Sequence, residues 1–109
     1  MKRIFKKIIT TSFFTKILGS SFVFKIFFNK STVIFLYHET SNNPSKFHSD
    51  HDLNVSPKLF KKQIEIIKDN FNVISPKELI SGKYKTPAAL ITFDDGTKDN
   101  FIHAYQILE

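Results

Sequence analysis

A chain of 109 residues makes one domain at most. Its 41% hydrophobic content is enough for a core and excludes wholesale disorder, and the lack of cysteine excludes disulfide frameworks and thiolate metal sites. The formal charge of +6 looks like a nucleic-acid signature until the charges are placed. Residues 1–30 hold Lys2, Arg3, Lys6, Lys7, Lys16, Lys25 and Lys30 with no acid, while the rest of the chain carries nine lysines and ten acids. The basicity belongs to an arm, so no nucleic-acid partner is expected.

Seven of the thirteen phenylalanines also fall in residues 1–30. A membrane-spanning helix needs ~20 largely apolar residues. The longest charge-free runs here, 8–15 and 17–24, are eight residues each. A secretory signal has the right basic start, but Lys16 interrupts its apolar part and no small-x-small cleavage site follows. Over the first turns Ile4, Phe5, Ile8 and Ile9 group away from Lys2, Arg3, Lys6 and Lys7, the pattern of a helix lying in an anionic membrane interface. Residues 1–30 are therefore expected to form a basic, Phe-rich, amphipathic or signal/anchor-like helical arm. Such an arm implies contact with a membrane surface and a membrane-associated or cell-envelope location. A helix packed on its own domain is the plainer alternative.

Residues 31–109 read as a βα repeat. Thr32-Val33-Ile34-Phe35-Leu36-Tyr37 is a β-branched and aromatic run ending in His38 and Glu39, the first strand of a sheet. His38 is either a site residue or a strand-end histidine bonded to nearby backbone. Residues 40–55 are expected to be a polar loop. Within it, His48-Ser49-Asp50-His51-Asp52 resembles a metal cluster in composition, but its histidines are three apart with no helical pattern around them. A solvated loop is the default reading there.

Ser56-Pro57 is a helix start, and Phe60, Ile64, Ile67 and Phe71 recur at helical spacing. Val73-Ile74 reads as a short strand. Ser75-Pro76 repeats the start signal with Glu78 in cap-box position, and Gly82 closes a short helix. Ala88-Ala89-Leu90-Ile91-Thr92-Phe93 is an apolar run that stops at Asp94-Asp95-Gly96, which reads as a buried strand delivering two carboxylates at its end. Adjacent carboxylates repel, so a fold keeps them together when a cation or a shared proton is near. Residues 97–109 begin another helix, with Phe101, Ala104, Tyr105 and Leu108 as its apolar positions and His103 as a surface or packing residue. Alternating strands and helices imply a parallel α/β sheet with His38 and Asp94/Asp95 at one edge.

Thr92-Phe93-Asp94-Asp95-Gly96 resembles the first motif of the polysaccharide deacetylase family, the NodB-homology fold. The likeness extends to Leu36-Tyr37-His38, to Val55-Ser56-Pro57 with Phe60 and Gln63, and to Val73-Ile74-Ser75 with Glu78-Leu79. It continues past the motif in Asp99-Asn100, leaving only the arm unmatched. The resemblance implies the N-terminal part of a distorted (β/α) barrel, and a metal-dependent hydrolase that removes N-acetyl or O-acyl groups from a carbohydrate polymer. It makes Asp94 the general base and Asp95 a ligand of a divalent metal, zinc by preference, and it leaves His38 as a substrate-pocket residue. The family completes its metal site with two histidines four residues apart downstream of the aspartates, and places a general-acid histidine further on. None of these occurs in the 109 residues, so the site is incomplete and the chain is expected to be a truncated portion, inactive alone.

Two other readings compete. One is a non-catalytic, membrane-attached remnant whose aspartates are inherited but unused. The other is magnesium-dependent phosphoryl transfer, which also places paired aspartates at a strand end, although Thr97-Lys98 offers no phosphate-cradling glycine loop.

Overall fold

A computed structural model describes residues 3–6 and 26–109. Its strands are β1 (Arg3–Lys6), β2 (Ser31–Tyr37), β3 (Glu39–Thr40), β4 (Asn54–Val55), β5 (Asn72–Val73) and β6 (Ala88–Phe93). The helices are α1 (Lys46–Asp50), α2 (Pro57–Asn70) and α3 (Pro76–Ser81), with a π-helical turn (Asn100–Ala104) leading into α4 (Tyr105–Leu108). The fold is mixed α/β, built on a parallel four-stranded sheet in the order β1-β2-β6-β5. The latest strand, β6, lies between β2 and β5, so the central pair β2-β6 joins strands that are far apart in sequence.

Arg3–Lys6, expected to open an interfacial helix, is instead an edge strand in register with Ser31 to Ile34 of β2. The pairing partner lies far along the chain, and nothing in the local charge pattern announces it. The remainder of the proposed membrane contact, positions 7–25, falls outside the described residues. Among the described residues, no helix is long and apolar enough to cross a membrane.

The core sits on both faces of the sheet, which explains why β2 and β6 read as continuous apolar runs. On one face Val33, Phe35 and Ala89 pack with Phe60, Ile64 and Ile67 of α2 and with Phe71. On the other, Ala88 and Leu90 pack with Ile74, and Ile34, Leu79 and Tyr84 lie against them. α2 forms as its sequence dictates: Ser56 accepts the Leu59 N–H at its N-terminus, Pro57 occupies the first turn, and Phe60, Gln63, Ile64 and Ile67 make one buried face. Burying an aromatic or branched aliphatic side chain of this kind contributes about 1.5–3 kcal/mol. α3 carries the expected capping box between Ser75 and Glu78 and ends at Gly82 in the left-handed conformation, φ 68°.

Two expectations need correction. Residues 40–55 are not a plain loop: β3 and β4 pair in parallel, and α1 stands between them, capped by Ser45. A five-residue helix is too short to show a periodicity. The segment after Gly96 is helical from Lys98, but Asn100–Ala104 form a π-helical turn, closed by the Tyr105 N–H on the Asn100 carbonyl. That wider turn rotates the face. Ala104 is buried as expected, while Phe101, Tyr105 and Leu108 remain exposed.

Candidate functional site

β2 and β6 run in register from Thr32↔Ala88 to Tyr37↔Phe93. The Asp94 N–H donates to the Tyr37 carbonyl at 2.8 Å, extending the ladder by one bond. His38 and Asp94 therefore leave the sheet together, at the C-terminal edge of adjacent parallel strands. Burial falls along β6 in the same direction: Ala88, Ala89 and Leu90 are buried, Ile91 to Phe93 partly so, and Asp94 is exposed. An edge of this kind is where parallel α/β sheets bind ligands.

The chain turns at once. Asp95 has φ 67° and Gly96 φ 53°, both left-handed. A Cβ added at Gly96 would meet nothing within 4 Å, so the glycine is there for its conformation and not for close packing. Asp is among the few other residues that visit this region readily.

Asp95 does not stand alone. Its Oδ2 lies 3.0 Å from Nε2 of His48, which α1 presents from within the segment read as a solvated loop. His48 is only 8% exposed. Its Nδ1 lies 2.6 Å from the Ser45 hydroxyl and 3.3 Å from Oε2 of Glu39, itself buried. The Ser45 N–H donates to the same Glu39 oxygen at 3.1 Å. Strand-end residues Glu39 and Asp95 thus flank one imidazole. Sequence reasoning placed His48 with His51, yet the two part company: His51 is exposed and packs its ring on Phe47, centroids 4.6 Å apart. The signal available was Ser45, an N-cap residue that could turn His48 inward from a short helix.

His38 is half-buried at the edge, and its carbonyl accepts the Asn100 amide at 2.7 Å. His103 sits on the last helical segment with Nε2 3.9 Å from Asp99 Oδ1, a surface pairing as expected. Among the described residues, three buried polar atoms near these strand ends have no hydrogen-bond partner: Thr40 Oγ1, Thr97 Oγ1 and Asn100 Oδ1. Tyr37, the last residue of β2, donates its hydroxyl to Gln63 Oε1 at 2.9 Å, and burial holds its phenol well above the usual tyrosine range.

The donor set can be weighed against the divalent ion that the resemblance implies. Glu39 Oε2 faces Nδ1 of the His48 ring, and Asp95 Oδ2 faces Nε2. Among the described residues, no group of three His, Cys, Asp or Glu is placed to hold a metal ion. A catalytic zinc usually has three protein ligands. The described residues therefore do not make that centre by themselves. Comparison with protein-family models, with curated proteins and with solved structures yields no match.

Proposed function

We propose that residues 31–109 form the opening βα units of a metal-dependent hydrolase of the polysaccharide deacetylase type, in which a distorted barrel is completed by further strands. Its substrate class is a carbohydrate polymer carrying N-acetyl or O-acyl groups. One observation carries the reading: the Tyr37↔Phe93 register brings His38 and the Asp94-Asp95-Gly96 turn to one edge of a parallel sheet. In this reading Asp94, exposed at the edge, is the general base that takes the proton of the attacking water. Asp95 would be one ligand of a divalent ion, zinc by the resemblance, and His38 is a substrate-pocket residue. The described residues offer only part of a donor set, so the proton taken by Asp94 is the one step that this chain's own groups carry. The basic arm, in the same reading, brings the domain to a membrane surface of the cell envelope.

Acetate release from chitooligosaccharides with zinc supplied tests this. Without an H-x-x-x-H pair, the 109 residues alone should release none. A reading frame that continues past Glu109 into such a pair should give a product that does. Asp94→Asn should slow that product by roughly 10²-fold or more. Release unchanged by Asp94→Asn overturns the assignment. The competing reading is a non-catalytic, membrane-attached remnant whose aspartates are inherited but unused. A longer frame with no H-x-x-x-H would favour it.

A further inference from the structure

We propose that His48 is the positioning residue of Asp95, and that Ser45, whose backbone N–H is held by Glu39, in turn holds His48. The inference deepens the functional reading and rests on it for the meaning of Asp95; the contacts themselves do not depend on it.

The chemistry of the ring fixes most of the argument. A carboxylate at neutral pH only accepts hydrogen bonds, so at 3.0 Å from Asp95 Oδ2 it is His48 Nε2 that carries the proton and donates. The other nitrogen faces the Ser45 hydroxyl at 2.6 Å and Glu39 Oε2 at 3.3 Å. The Ser45 oxygen already accepts the His48 backbone N–H, which leaves its own proton to give to Nδ1. Rotating the ring by half a turn would put carbon where each nitrogen stands and forfeit both ends at once. The backbone beneath is tied as well, since the Leu53 N–H donates to the His48 carbonyl at 2.8 Å.

Asp95 needs such a partner. It sits in a left-handed turn, φ 67°, with its side chain 47% exposed, and nothing in a turn of that kind fixes a carboxylate rotamer. The imidazole N–H fixes Oδ2, and in the functional reading Oδ1 is the oxygen left for a ligand. Histidine–carboxylate pairs beside reactive groups work in this way, by orientation and not by contact with substrate.

Ser45, His48 and Asp95 also make up a serine–histidine–aspartate set, but a nucleophilic reading fails on the surroundings. Ser45 Oγ is engaged as the cap of α1, and the Ser45 N–H is committed to the buried Glu39. An oxyanion forming there would face that carboxylate.

The test is ring-nitrogen NMR on the 15N-labelled 109-residue chain. His48 should show one Nε2-protonated species, while exposed His51 averages between tautomers. Asp95→Gly keeps a backbone suited to positive φ and deletes the acceptor. It should shift the His48 ring nitrogens and speed exchange of the Nε2 proton by roughly tenfold or more. A second arm compares His48→Gln, whose amide nitrogen stands near the position of Nε2, with His48→Ala. Protection of the amides of residues 95–97 should survive in the first and fall in the second. A wild-type His48 ring that averages like His51, or ring shifts that ignore Asp95→Gly, overturns the proposal even if His48→Ala does not fold. A deacetylase assay that fails in every product leaves the NMR result standing, so the two failures are distinguishable.

Discussion

The side-chain amide of Asn100 donates to the carbonyl of His38 across 2.7 Å, joining residues 62 apart in the chain. This bond ties the π-helical turn to the single residue that joins β2 to β3. Removing the donor leaves a carbonyl without its partner, which costs about 1–3 kcal/mol when the group is buried. Asn100→Ala should therefore lower the urea midpoint of unfolding with an unchanged slope. A midpoint that does not move would mean that the two segments are held by packing alone.

The Tyr37 hydroxyl and Gln63 make the corresponding tie between β2 and α2, at 2.9 Å. Tyr37→Phe strands a buried amide oxygen and should cost about 1–3 kcal/mol, and Tyr37→Phe with Gln63→Met should recover part of it because both polar groups then go. The pH dependence has a definite sign. Burial raises the folded-state phenol above its unfolded value, so its share of stability is complete below about pH 10 and is lost as the pH rises further. Denaturation midpoints between neutral and strongly alkaline pH should fall in the wild type and fall less in Tyr37→Phe. Parallel curves for the two proteins would contradict the assignment.

Glu78 titrates in the opposite sense. The Ser75 backbone N–H and hydroxyl both donate to its carboxylate and hold it below the usual glutamate range. A depressed folded-state value stabilises above the unfolded value and is lost as the pH falls through the folded one. Amide exchange within α3 should therefore quicken in acid, and Glu78→Gln should flatten that dependence while keeping a neutral cap. Protection in α3 that is the same on both sides of the carboxylate range would count against it.

What could be read from the sequence divides along physical lines. The caps of α2 and α3, the apolar faces of β2 and β6, and the shared edge of His38 with Asp94 follow from spacings of a few residues, so local chemistry announces them. β1 could not be read that way, because the alternation of cations and apolar residues around Ile4 and Phe5 suits a helix as well as an edge strand. Only pairing with β2 decides it. His48 was hidden for the same reason: its partner is 47 residues away, and α1 is a single capped turn. The π-helical turn was illegible too, since a one-residue change of phase leaves the apolar spacing of Phe101, Ala104 and Tyr105 looking regular.

Gly96 offers a test that separates conformation from contact. With φ 53° and open space around its Cα, an added methyl group would meet no neighbour, so any cost of Gly96→Ala must come from the left-handed backbone. That cost is about 1–2 kcal/mol for an ordinary L-residue. Asparagine tolerates the same region, so Gly96→Asn should cost distinctly less despite its larger side chain. Equal losses for the two variants would point to a steric origin that the open surroundings do not supply. No loss in either would mean that the Asp95-Gly96 turn relaxes in solution, which would also release the Asp95 carboxylate from His48. The ordering of the two midpoints therefore bears on the site as well as on the turn.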